Sequence, residues 1–124
     1  MVAAVIGIDP GLAGALAVVA LDGSMLQVDD IPLTTYEQAN GKVKQRWDEA
    51  KMVQLIEDAG VTWDLRGACI EKPLFLGGNA AQHTGTIGCG WGMWVGILAA
   101  FGIPRHYVSP ADWKRDMFSS TGLT

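Results

Sequence analysis

The chain reads as one mixed α/β domain: three strands in succession, then helices alternating with further strands. Three observations carry that reading. Residues 3–9, 13–20 and 25–31 are short runs rich in Val, Ile, Leu and Ala, separated by turn residues. Beyond residue 48, a helical apolar period gives way to a strand-like run, and the alternation then repeats. Finally, two strand ends share one pattern: an apolar run, a carboxylate, then proline within two residues. These ends are Ile8-Asp9-Pro10 and Ile70-Glu71-Lys72-Pro73. A chain of 124 residues supports one domain with a real core.

The first strand, 3–9, stops where Pro10-Gly11 breaks extended backbone, leaving Asp9 at its end. A carboxylate there faces an opening, within reach of a cation. Asp-Pro-Gly is also an ordinary turn, in which Asp bonds only its own backbone. The second strand, 13–20, follows so closely that Asp9-Pro10-Gly11-Leu12 becomes a tight connection between antiparallel partners. Leu21-Asp22-Gly23-Ser24 has hairpin-turn chemistry and leads into the third strand, 25–31. Residues 32–47 show no clear period and carry Lys42, Lys44 and Arg46 around Gly41, so a loop is expected. The first helix is expected over 48–59, with Ala50, Val53 and Ile56 forming its apolar stripe, joined by Met52, Leu55 and Ala59. Gly60 is its expected stop.

Residues 61–66 connect to a strand at 67–71 that ends in Glu71. On parallel neighbouring strands, Asp9 and Glu71 would meet at one rim of the sheet. An uncharged loop is expected over 74–83. A glycine-rich helix follows, with Gly85, Gly88, Gly92 and Gly96 on one face and Trp91, Trp94 and Leu98 mostly on another. Each glycine costs such a helix roughly 1 kcal/mol relative to alanine, which close approach to the sheet or to a second helix would offset. A last strand is expected over 105–109, and Pro110 opens a further helix.

Composition narrows the function classes. Hydrophobic residues make up 49% of the chain, and mean hydropathy is +0.21, values that exclude a disordered segment. The net charge of −4 provides no global positive field for nucleic acid, although a local basic strip can still serve on an acidic protein. Cys69 and Cys89 sit in apolar stretches and read as buried free thiols of a reducing compartment. Met1-Val2-Ala3-Ala4 has no basic n-region, so no secretory signal is expected and the chain reads as cytoplasmic. No Asp, Glu, Lys or Arg occurs between Pro73 and Pro104, and residues 84–103 are long enough to cross a bilayer. The missing basic flank and the many glycines favour a buried crossover helix, with no membrane partner.

With Gly7-Ile8-Asp9-Pro10-Gly11 at its head, this order of elements resembles the ribonuclease H-like fold. That fold is a mixed five-stranded sheet, three antiparallel N-terminal strands then parallel ones, with flanking helices. Within it the chain is similar to RuvC-type Holliday junction resolvases, including phage-encoded relatives. The likeness rests on Gly7–Gly11, on Ile70-Glu71-Lys72-Pro73 and on Val108-Ser109-Pro110 with Trp113-Lys114.

The resemblance implies a metal-dependent endonuclease that cuts four-way or other branched DNA as a homodimer, in a bacterial cell or a phage-infected host. Two Mg²⁺ ions roughly 3.5–4 Å apart would activate water and neutralise the leaving oxygen, with Mn²⁺ as a possible substitute. Such hard cations take oxygen ligands. Asp9 would bridge both ions and Glu71 would hold one. Lys114, Lys72 and Arg115 would contact phosphates, with Lys114 favoured for its Trp-Lys context. Leu74 and Phe75 would wedge into unstacked bases or pack over the sheet edge.

The family's remaining carboxylate pair lies on a helix well after the last strand. Asp112 and Asp116 come too early for that role, so the chain is expected to be a piece lacking its C-terminal catalytic helix, with little activity. Two other classes remain open. The Gly-Ile-Asp-Pro-Gly hairpin also suits a nucleotide-binding module of the actin and sugar-kinase superfamily, and the fold could persist in a non-catalytic DNA-binding relative.

Overall fold

The computed structural model of the chain describes residues 1–72 and 81–108, and the side chains of all of these except 81–87. Its elements are β1 (Ala3–Ile8), β2 (Ala15–Ala20), β3 (Met25–Asp30), β4 (Leu33–Glu37), β5 (Val43–Trp47), α1 (Glu49–Thr62), β6 (Asp64–Glu71), α2 (Ala81–Ala100) and β7 (Arg105–Val108). Five strands form one mixed sheet in the order β3-β2-β1-β6-β7. β1 pairs antiparallel with β2 and β2 with β3, while β6 runs parallel to β1 and β7 parallel to β6. The expected topology of the main sheet is the observed one.

One face of this sheet carries the core. In β1 and β2 every second residue is buried, so Ala4, Ile6 and Ile8 stand beside Ala20, Val18 and Leu16 across the ladder. In β6, Ala68 and Ile70 join the same layer. Met52, Ile56 and Ala59 of α1 and Trp94 and Leu98 of α2 complete it. Fully burying an aliphatic side chain contributes roughly 1.5–3 kcal/mol, so this one-sided layer is the main stabilising feature of the domain.

Several expectations are corrected. Residues 32–47 are not a loop: β4 and β5 form a separate antiparallel hairpin. Most of its side chains are exposed, so it lacks the apolar alternation that betrays a half-buried strand. The stripe of α1 is Met52, Ile56 and Ala59, whereas Ala50 and Val53 face solvent. Gly60 does not stop α1, which runs on to Thr62. There the extended Trp63 caps it, its amide donating to the Ala59 carbonyl. β6 begins three residues earlier than expected, at Asp64.

The helix expected after residue 83 already starts at Ala81. Gly92 and Gly96 have nothing within 4 Å of a Cβ position, so no close approach offsets their cost among the described residues. Gly90 makes that approach instead. Both cysteines are exposed, not buried. Cys69 alternates with the inward Ala68 and Ile70 and therefore faces outward, and the Cys89 Sγ lies 3.8 Å from Met93 Sδ. Among the described residues, no helix is long and apolar enough to cross a membrane.

Candidate active-site rim

β1 and β6 fix the rim. Their parallel register pairs Gly7 with Cys69 and Ile8 with Ile70, so the next position on each strand is a carboxylate, Asp9 and Glu71. Both lie at the carboxyl end of the parallel pair, the end of an α/β sheet where ligands bind. Asp9 is exposed and Glu71 half-buried. Glu71 also stands opposite Val108 of β7, so it is flanked by a strand on each side.

The backbone around Asp9 is held tightly. Its amide donates to the Ala15 carbonyl (3.0 Å), continuing the β1–β2 ladder one residue beyond the strand. The Gly14 amide donates to the Gly11 carbonyl (3.0 Å), and the Ile31 amide to the Gly14 carbonyl (3.2 Å). A Cβ on Gly14 would sit 2.1 Å from the Asp9 carbonyl oxygen, so only glycine allows this closure. On the other side a Cβ on Gly90 would lie 2.4 Å from Trp47 Cζ2 and 2.7 Å from the Pro10 carbonyl oxygen. Gly90 thereby lets α2 close on both Trp47 and the turn that follows Asp9. Neither contact was legible beforehand, because each needs the partner element in place.

The Asp9 side chain turns over its own loop, where Oδ1 accepts the Gly11 amide at 3.2 Å. The ordinary Asp-turn bond is therefore made, but it occupies one oxygen. Among the described residues Oδ2 has no partner. Lys72 follows Glu71 at the same rim. Its side chain is exposed and its amide donates to the Val108 carbonyl (2.7 Å). Arg105 pairs with Ala68 at the start of β7, well back from the rim, and its Nη1 donates to the Ile103 carbonyl (3.1 Å). Trp91 and Tyr107 rings, 5.5 Å apart, pack α2 against β7.

Leu74, Phe75, Asp112, Lys114, Arg115, Asp116 and the helix from Pro110 lie outside the described residues. Among the described residues, no group of three or more His, Cys, Asp or Glu side chains converges on a common point. Two neighbouring carboxylates are an oxygen donor set of the kind a hard divalent cation takes. Sequence reasoning missed the basic hairpin. Its signal was Asn40-Gly41, a strong hairpin turn, with Gly41 at φ +83° and the Lys42 amide donating to Asn40 Oδ1.

No protein-family model matches the chain, and no curated protein matches it. Solved structures do. T. thermophilus RuvC in complex with a Holliday junction substrate is similar with a TM-score of 0.61 and 15% sequence identity, over 87% of this chain and 65% of that one. A second structure of Thermus thermophilus RuvC gives a TM-score of 0.53 and 17% identity, over 86% and 64%. The chain spans just under two thirds of each RuvC chain. At such low identity the likeness is one of fold, and the mixed five-stranded sheet with its helices is a RuvC-like fold.

Proposed function

We propose that this domain belongs to a metal-dependent endonuclease acting on four-way or other branched DNA. The observation that carries the reading is the pairing of Ile8 with Ile70, which makes Asp9 and Glu71 neighbours at one rim. Two adjacent carboxylates repel one another in water, and a shared cation removes that cost. The similar RuvC structure with a Holliday junction substrate supports the choice of DNA substrate.

Asp9 and Glu71 would hold Mg²⁺, or Mn²⁺ in its place. Such a cation supplies neutralisation of phosphate charge and activation of a water nucleophile. Asp9, with Oδ1 fixed by the Gly11 amide, offers its second oxygen in a set orientation. Glu71 brings negative charge from the adjacent strand, and Lys72 beside it meets phosphate. Lys114 and Arg115 would add further phosphate contacts, and Leu74 and Phe75 would meet unstacked bases. Asp9 and Glu71 by themselves would hold the cation weakly and support slow cleavage. A two-fold junction needs paired cuts, which a symmetric dimer provides.

The test is a gel shift of a four-way junction against linear duplex, with nicking followed in Mg²⁺. Preference for the junction, with any nicking abolished by Asp9→Asn, is the expected result. Equal weak binding to both DNAs would overturn the assignment. Saturable ATP binding in calorimetry would favour the actin and sugar-kinase class instead.

A further inference from the structure

The β4–β5 hairpin sorts its side chains by charge. Pairing sets Arg46 opposite Thr34 and Lys44 opposite Tyr36, and the Gln38 amide donates to the Lys42 carbonyl. By strand alternation, Lys42, Lys44 and Arg46 share one face with Tyr36. Glu37, the hairpin's carboxylate, lies on the opposite face with Val43 and Trp47. That opposite face meets the body of the domain at its base, where Trp47 is buried and Leu33 packs against the core. The basic face therefore points away from the domain.

These cations are not spent inside the protein. Lys51 and Arg66 pair with Asp48 and Asp64. Among the described residues, Lys42 and Lys44 have no carboxylate partner, and Arg46 lies over the Tyr36 ring, 5.8 Å from its centre. Three like charges gathered on a protein of net charge −4 repel one another and leave a local positive strip. Successive charges along a strand stand about 7 Å apart, a spacing of the order of neighbouring phosphates on a nucleic-acid strand. The base of the hairpin, next to Arg46, lies near the turn that follows Asp9, because Trp47 and Pro10 both close on Gly90.

We propose that the basic face of this hairpin is a phosphate-backbone contact, holding a DNA arm beside the Asp9 and Glu71 rim. This rests on the nuclease reading for its substrate, but not for its charge pattern. An anionic membrane is the less suitable partner. The exposed apolar Val43 lies on the other face, and Tyr36 is engaged by Arg46, so the basic face has no side chain to insert into lipid.

The experiment measures binding of the 1–124 chain to a labelled four-way junction and a linear duplex by fluorescence anisotropy, between 50 and 200 mM KCl. The triple variant Lys42→Gln, Lys44→Gln, Arg46→Gln is compared with Lys51→Gln, Arg66→Gln, which removes cations already paired. Each lost phosphate contact lowers the slope of log K against log salt by about 0.9 on duplex DNA. A slope smaller by about 2–3 in the triple variant, alike for both DNAs and unchanged in the control pair, is expected. Lys42→Arg with Lys44→Arg should keep the parent slope, and circular dichroism checks that every variant folds. Parent-like salt dependence in a folded triple variant would overturn the hairpin contact and leave the nuclease reading standing. Asp9→Asn tests that reading separately, since it should bind with the parent slope while losing metal-dependent nicking. Failure of the parent chain to bind either DNA, with binding to phosphatidylserine vesicles, would overturn both.

Discussion

Gly14→Ala is the substitution that most directly ties the fold to the rim. Glycine-to-alanine changes ordinarily stabilise by about 0.4–1 kcal/mol where the backbone accepts them, by narrowing the unfolded ensemble. At Gly14 the added Cβ would lie 2.1 Å from the Asp9 carbonyl oxygen, 2.9 Å from its carbon and 3.0 Å from the Gly11 carbonyl oxygen. All three neighbours are backbone, so no side chain can swing aside. Relief requires the Asp9-Pro10-Gly11 turn to move away from β2, loosening the bond from the Asp9 amide to the Ala15 carbonyl. Overpacking of this kind costs about 1–3 kcal/mol, and the rigidity of the contacts favours the upper half of that range. After the entropic gain, the net loss is about 2 kcal/mol, or roughly 6–10 °C in Tm for a chain of this size. Gly92→Ala is the internal control. Nothing lies within 4 Å of its Cβ position among the described residues, so α2 should gain about 1 kcal/mol. Urea unfolding with a common m-value measures both. A Gly14→Ala protein as stable as the parent would refute the closure of the turn described above.

Asp48→Ala removes the N-cap of α1, whose Oδ1 accepts the Lys51 amide, and should cost about 1 kcal/mol in urea unfolding. Asp22 in the β2–β3 turn accepts both the hydroxyl and the amide of Ser24, and these bonds hold its carboxyl below the ordinary aspartate range, the hydroxyl contributing most. Its folded pKa is depressed, so the associated stability is present above the unfolded value and is lost as pH falls through the folded one. An NMR titration of Ser24→Ala should move the Asp22 midpoint upward, toward the ordinary value, and an unmoved midpoint would contradict the assignment of cause.

The main sheet was legible because its two informative signals are local. Apolar runs in β1 and β2 end at unmistakable breakers, and Asp9 and Glu71 each close a strand before a nearby proline. Whether those acids meet depends on register, which only the parallel pairing of Ile8 with Ile70 decides. The hairpin was missed although Asn40-Gly41 announced its turn, because Lys44, Gln45 and Arg46 offer no buried face to read. Cys69 was misjudged for the opposite reason. Its neighbours Ala68 and Ile70 are core residues, and composition alone does not reveal that alternation turns the residue between them outward. The glycines of α2 show the same limit. Spacing grouped Gly92 with Gly96, yet the close approach belongs to Gly90, off that face, where Trp47 arrives from an element not foreseen as a strand.

Mn²⁺ titration of ¹⁵N-labelled protein, with amide relaxation read residue by residue, tests the shared carboxylate site most directly. Paramagnetic broadening should centre on Gly11 and Lys72 together and disappear in both Asp9→Asn and Glu71→Gln, while Mg²⁺ competes it away. Broadening confined to one strand end, or unchanged when either acid is neutralised, would contradict a common cation at the rim.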